Sequence, residues 1–255
     1  MKPIKVMSYN IHKGFSMNRQ FTLEKIRDFI RKHSADVVFL QEVVGENMKL
    51  RKKHAEWPLD SQLEFLADSV WSHHAYGKNA VYDHGHHGNA VLSAWPILSY
   101  ENINISTNPI EKRGLLHATI SREGEQLHLL CSHLNLLERG RRTQIKKIIE
   151  RIRNHVPDGE PLILAGDFND WREKISTALL EELGLVEVFF KIHGKHALTF
   201  PSREPYLALD RIYVRGFECL TAQCFTSASL QELSDHGALL AELGRSRPWS
   251  EKSAN

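Results

Sequence analysis

Pro161-Leu162-Ile163-Leu164-Ala165-Gly166-Asp167-Phe168-Asn169-Asp170 is the stretch on which the reading of the chain turns. Its first half is a short apolar run of the kind that forms a buried strand. Gly166 breaks the run, and three polar side chains follow within four positions. Alternation along a strand places Asp167 and Asn169 on one side and turns Phe168 back toward the core. A carboxylate and an amide at the mouth of a buried strand suit a hard cation, a phosphate or an attacking water. Asp170 followed by Glu173 reads as an N-cap with its capping-box partner, opening a helix over 173–183 that Gly184 ends. A helix cap explains Asp170 and leaves Asp167 and Asn169 free for chemistry.

Working outward, 255 residues with 42% hydrophobic and 25% charged content suit a globular chain with a sizeable core. No linker divides it, so one domain is expected over 1–244 with a loose tail over 245–255. A net charge of +2 is too mild to announce a nucleic-acid partner by itself. Cys131, Cys219 and Cys224 lack metal-type spacing and read as free thiols. No apolar run reaches membrane-spanning length and the N-terminus enters a strand directly, so a soluble, cytoplasmic chain is expected; a monomer is the separate expectation for its assembly.

In chain order, Ile4 to Tyr9 reads as a strand ending at Asn10, and Thr22 caps a helix carrying Leu23, Ile26, Phe29 and Ile30. Asp36 to Leu40 is a buried strand that delivers Gln41 and Glu42 at its end. Residues 46–57 read as a basic surface loop. Ser61 with Glu64 opens a helix that buries Leu63, Leu66, Ala67 and Val70. Asp83 to Asn89 reads as a mobile, histidine-bearing turn before a short strand, Ala90 to Ser93. Strands over 97–105 and 115–121 follow, the second leading through Glu123-Gly124-Glu125 into a strand with Leu127, Leu129, Cys131 and His133 on one face. Arg113, between the first two, is a candidate phosphate contact. A helix over 139–154 pairs an isoleucine stripe with a basic face, read as solvated surface or an anionic docking face. Loop-rich residues 193–207 lead to the strand Leu209 to Val214. There the buried Asp210 needs a partner, and His236, before the last strand at 238–243, is the candidate.

The motifs Ser-Tyr-Asn-Ile-His (8–12), Leu-Gln-Glu-Val (40–43), Gly-Asn-Ala-Val-Leu-Ser (88–93), Ser-His-Leu (132–134), Gly-Asp-Phe-Asn (166–169), Leu-Asp-Arg-Ile-Tyr-Val (209–214) and Ser-Asp-His (234–236) recur in one order. That ordered set resembles the endonuclease/exonuclease/phosphatase superfamily. The runs at 86–90 and 166–172 are similar to its bacterial YbhP-type branch. The resemblance implies an α/β fold, a four-layer α/β sandwich of two mixed β-sheets face to face with helices outside, as in deoxyribonuclease-like proteins. It implies a divalent-metal-dependent phosphoesterase, with Mg²⁺ (or Mn²⁺) held by Glu42, Asn10 and Asp235. It also implies that Asp167 and Asn169 orient water and phosphoryl oxygens, that Asp210 orients His236, and that His133 meets the phosphate or leaving oxygen. Asn89 and Arg113 are expected to bind phosphate. Either Asp167 or His236 is the general base.

In-line hydrolysis of a phosphodiester follows from these parts, with a nucleic acid as the largest single substrate option. Lipid or soluble phosphoesters are alternatives, since Arg211 stands where nuclease members often carry an aromatic residue or histidine. Two further readings are a scaffold that keeps the fold without catalysis, and metal storage through His84, His86 and His87.

Overall fold

Strand pleat decides which residues reach the end of the molecule, and the first strand shows how. In β1 (Ile4–Asn10), Ile4 and Val6 enter the central core while Met7 and Tyr9 pack outward against a helix. Asn10, in step with Ile4 and Val6, therefore points between the sheets. The computed structural model describes residues 2–59, 61–68, 70–226 and 233–246. After β1 come α1 (Leu23–His33), β2 (Val37–Asn47), α2 (Met48–Lys53), α3 (Gln62–Ala67), β3 (His73–Tyr82) and β4 (Gly85–Ser93). The second half supplies β5 (Ile97–Asn104), β6 (Gly114–Arg122), β7 (Glu125–His133), α4 (Glu138–His155), β8 (Leu162–Asp167) and α5 (Ile175–Leu183). It closes with β9 (Val186–Glu187), α6 (Val188–His193), β10 (Asp210–Arg215), β11 (Phe217–Phe225) and β12 (Ala238–Arg245).

Two six-stranded sheets result, ordered β11-β12-β1-β2-β4-β3 and β5-β6-β7-β8-β10-β9. Both are mixed: β1 runs parallel to β2 and β7 parallel to β8, among antiparallel neighbours. Val6, Phe39, Val91 and Leu239 of the first sheet meet Leu116, Leu129, Ile163 and Ile212 of the second. Ile26, Phe29 and Leu66 of α1 and α3 cover the first sheet's outer face. Ile145, Ile148 and Leu179 of α4 and α5 cover the second. This is the four-layer sandwich; the central strands are buried on both faces, while the edge strands β5 and β11 stay largely open.

Several local expectations are corrected. The basic stretch expected as a loop holds α2, because the Asn47 side chain accepts hydrogen bonds from the backbone N–H groups of Lys49 and Leu50. Residues expected as a mobile histidine turn lie mostly on β4, whose pairing with β3 carries His86 and His87 on the ladder. Thr22 occupies the N-cap position of α1 but makes no side-chain cap bond, because its hydroxyl donates to the Leu233 carbonyl at 2.6 Å instead. Helix α5 starts at Ile175, and Asp170 accepts from the Ile175 N–H at 2.8 Å rather than forming a box with Glu173. Val70 is exposed. The last strand reaches Arg245, into the expected tail, whose residues 247–255 lie outside the described residues. Strands β3, β9 and β11 and helix α6 answer to no expectation from the sequence, their apolar residues being mixed with polar ones.

Gly166 is where the sequence pattern becomes geometry. It sits opposite Ser132 of the parallel neighbour β7 with φ of +147°, and a Cβ there would lie 1.9 Å from the Ser132 carbonyl oxygen. The glycine thus allows β8 to turn Asp167 toward the sheet interface. On the second sheet's outer face, Arg151 Nε donates to His117 Nδ1 at 3.1 Å. The His117 Nε2 proton is then directed to His128 Nδ1 at 2.9 Å, and His128 Nε2 to Glu160 at 2.7 Å. Burial, with His128 and Arg151 nearby, lowers the His117 imidazole to about 3.

Two outcomes follow from these contacts. Gly166→Ala should lose more than about 2 kcal/mol in urea unfolding, since a backbone clash replaces a tolerated turn; unchanged stability would contradict the packing. Acid takes stability from a neutral buried imidazole, because the unfolded chain protonates first, near 6.5, and the folded form only near 3. The wild type should therefore lose about 2 kcal/mol more than His117→Gln between pH 7 and pH 5, measured by urea midpoints at each pH.

Candidate active site

Strand ends of the two sheets converge at one end of the sandwich. Asn10, from the first sheet, donates through Nδ2 to Asp167 Oδ2 of the second at 3.1 Å. His236 enters β12 of the first sheet, and its Nδ1 lies 2.8 Å from Asp210 Oδ2 at the start of β10 in the second. Asp167 is shared further: His133 Nε2 lies 3.4 Å and His236 Nε2 3.7 Å from its Oδ2. Its Oδ1 accepts from the Asn169 N–H at 3.0 Å. Asn169 holds φ of +49°, and its side-chain amide donates to the Leu134 carbonyl at 3.0 Å.

Glu42 reaches this end by a different device. Strand parity places it with Leu40, which packs on the helix side. A register shift between Leu40 and Val43 and φ of +57° at Glu42 re-aim the carboxylate into the cleft. Its nearest cation is Lys13 Nζ at 3.7 Å, and among the described residues no hydrogen-bond donor meets it. Asp235 Oδ1 lies 3.6 Å from His12 Nδ1 and 3.3 Å from Ser234 Oγ. The loop carrying Asp235 and His236 is pinned from several sides. Ser234 Oγ donates to the Asn10 carbonyl at 2.7 Å, Ser202 Oγ to the Ser234 carbonyl at 2.6 Å, and the Gly237 N–H to the Thr199 carbonyl at 2.8 Å.

A cavity of about 360 Å³ opens here, with Glu42, Arg113, His133, Asp167, Asn169 and His236 in its wall. A larger one of about 520 Å³, between α2 and β4, carries His86 and Tyr76 but none of these groups. Asn89 is in neither wall. It is buried between the sheets, donating to the carbonyls of Gly114 and Cys131 at 3.1 and 3.4 Å, so its N–H groups brace the sandwich instead of binding phosphate. Among the described residues the three histidines of the metal-storage reading do not gather their ring nitrogens into one ligand group, although His84 and His87 both stack on Tyr82. The His86 ring packs against Gly45 and Tyr76, His87 lies near Glu42, Lys13 and Arg113, and His84 stacks on Tyr82.

The charges in the cleft are strongly coupled. Burial alone would depress His236, but Asp210, Asp167 and Asp235 outweigh it and lift the imidazole to about 10. Burial and Arg113 lower His133 to about 4, against the pull of Asp167 and Glu42. Burial would raise Glu42, yet His133, Lys13, His12 and His236 bring its carboxyl below the ordinary value. Asp235 is raised by burial, and by Glu42 nearby.

A divalent cation fits this donor set. Glu42 offers a carboxylate that no hydrogen-bond donor meets among the described residues, and Asn10 and Asp235 add oxygens, the hard ligands that Mg²⁺ or Mn²⁺ takes. Asp167, Asp210 and His236 also bring ligand atoms within 4.8 Å of one another. There, however, Asp210 Oδ2 and His236 Nδ1 are spent on each other, which leaves Glu42 the better anchor.

The family model described as "Endonuclease/Exonuclease/phosphatase family" matches residues 7–236. The chain belongs to that family. It is 47% identical over 243 residues to the uncharacterized protein YbhP of Escherichia coli (strain K12), covering 94% of this chain and 95% of that one. In three dimensions it is similar to D. rerio TDP2 complexed with single strand DNA product, with TM-score 0.70, 19% identity and coverage of 95% of this chain and 99% of that one. It is similar as well to a mannosyl-6-phosphatase of Bacteroides thetaiotaomicron, with TM-score 0.71, 18% identity and coverage of 94% and 99%. Members of the family are typically phosphoester hydrolases, usually dependent on a divalent metal, and the sandwich fold is common to these neighbours.

Sequence reasoning passed over Lys13, Ser234, Thr199 and Trp171, which support or line the cleft. Ser234 and Trp171 lie inside quoted runs and Lys13 follows one, a signal that was available; Thr199 carries none. In the metal-free protein, the His236 ring should hold its proton to about pH 10, followed by NMR of the ring carbons. Asp210→Asn should bring that midpoint down by about 2 pH units or more; an unmoved midpoint would dismiss the pairing.

Proposed function

We propose that the protein is a divalent-metal-dependent phosphodiesterase acting by in-line attack of water. The observation that carries this reading is the meeting of the Asp210–His236 pair, Asp167 and Glu42 around one cavity. Glu42, Asn10 and Asp235 would hold Mg²⁺ (or Mn²⁺), which when bound supplies positive charge to the phosphoryl group and leaving oxygen. Asn169 and Arg113, both in the cavity wall, bind phosphoryl oxygens. Asp167, whose Oδ2 faces His133 and His236, orients the water and takes its proton as the new P–O bond forms. Asp210 fixes His236 through Nδ1, leaving Nε2–H to donate to the phosphoryl group. A ring that already carries its proton is a donor, which favours Asp167 over His236 as the base. His133, kept neutral, meets the leaving oxygen as the old P–O bond breaks.

Nucleic acid, lipid and small phosphodiesters all present the group this cleft handles. A cytoplasmic monomer is the setting we assign, in keeping with three free cysteines. Wild-type protein should hydrolyse bis-p-nitrophenyl phosphate in a Mg²⁺- or Mn²⁺-dependent manner, and chelation should stop turnover. Glu42→Ala and His236→Ala, shown to be folded by circular dichroism, should each lower kcat/KM by about a thousandfold or more. Wild-type protein inert across metals and phosphoesters would instead support a non-catalytic scaffold.

A further inference from the structure

Three loops form the mouth of the cavity on the second sheet's side, and each presents aliphatic or aromatic side chains to solvent. Ile110 is 89% exposed, Leu136 64%, Leu137 70% and Trp171 50%. Leu136 and Trp171 line the cavity itself. The loops are tied together: Asn135 Nδ2 donates to Thr107 Oγ1 at 2.7 Å, and the Leu136 N–H to Glu111 Oε1 at 3.3 Å. Arg172 and Lys174 each reach Glu138 at 3.1 Å. The apolar side chains are thus held outward by an ordered frame. Large apolar groups gathered at one place on a surface mark a contact site.

The charge around them has one sign in excess. Lys112, Arg113, Arg139, Arg142, Arg172 and Lys174 stand among Glu111, Glu138 and Glu173, six cations against three carboxylates. Glu138 is already shared by Arg142, Arg172 and Lys174. Protruding apolar tips within a basic collar match a bilayer bearing anionic headgroups, in which the tips enter the acyl boundary and the collar meets phosphate. Nucleic acid fits less well, because Ile110, Leu136 and Leu137 lack the flat faces on which bases stack.

We infer that this rim, Ile110, Leu136, Leu137 and Trp171 within its basic collar, docks the protein on an anionic phospholipid surface. Docking there would set the cavity mouth at headgroup depth. That the substrate is consequently a lipid phosphodiester rests on the phosphodiesterase reading; the docking surface itself does not.

The test is co-sedimentation of the full chain with vesicles of phosphatidylcholine alone or with half phosphatidylglycerol. Binding should favour the anionic vesicles, and Ile110→Ser/Leu137→Ser should weaken it about tenfold or more without changing any charge. Neither residue lines the cavity, so turnover of soluble bis-p-nitrophenyl phosphate should be unchanged. Arg139→Gln/Arg142→Gln should also weaken vesicle binding. Equal binding by wild type and the serine variant, or none to anionic vesicles, would overturn the inference. So would a single-stranded oligonucleotide that binds wild type tightly and loses affinity with the same serine pair. Vesicle binding without diester turnover would leave the docking surface standing and remove the catalytic reading; turnover without vesicle binding would do the reverse.

Discussion

Of the hydrogen bonds that cross from one sheet to the other, two end on carboxylates at the same end of the sandwich, Asn10 to Asp167 and His236 to Asp210. Each joins a polar group from the first sheet to a carboxylate from the second, in a place where unpaired charge would be costly. The apolar faces hold the sheets together; these bonds determine what the open end of the interface contains. On several strands one face carries core residues inward until the last position, where the same pleat delivers a functional group. On β8 that succession is Ile163, Ala165 and Asp167, and on β10, read backwards, it is Val214, Ile212 and Asp210.

Concentrating acids this way has a physical consequence. Glu42, Asp167, Asp210 and Asp235 share a small volume with two imidazoles, and the protein neutralises them only in part. His236 carries charge because three carboxylates face it, while His133, beside Arg113, does not. Two histidines of the same cleft thus differ in their protonation, a division suited to work on a phosphoryl group. Lys13 near Glu42 and His12 near Asp235 provide some balance, at distances beyond a hydrogen bond. A bound divalent cation would complete it.

Much of this was legible in the sequence because strand ends carry a simple rule. Asn10, His133, Asp167 and Asp210 follow from alternation, and the pairing of Asp210 with His236 from the need of a buried carboxylate for a partner. Glu42 is different: its parity is that of Leu40, so only a bulge brings it inward, and nothing in Leu-Gln-Glu-Val announces one. Asn89 shows the opposite failure, since a polar residue beside a glycine in a motif proves to brace backbone carbonyls. The hairpin of β3 and β4 was hidden by histidines and glycines that look like a turn, although the ladder tolerates them. Exposure of Leu137 and Ile110 could not be read at all, because an apolar residue in a loop says nothing of the side to which it turns.

In the account proposed for this protein, polar strand ends from both sheets surround one cation anchored by Glu42. Anomalous diffraction from crystals soaked in Mn²⁺ tests it most directly. We expect a single strong peak within bonding distance of a Glu42 oxygen, with Asn10 or Asp235 beside it, and its disappearance in Glu42→Ala. A peak seated between Asp167, Asp210 and His236, or one that survives loss of Glu42, would contradict it.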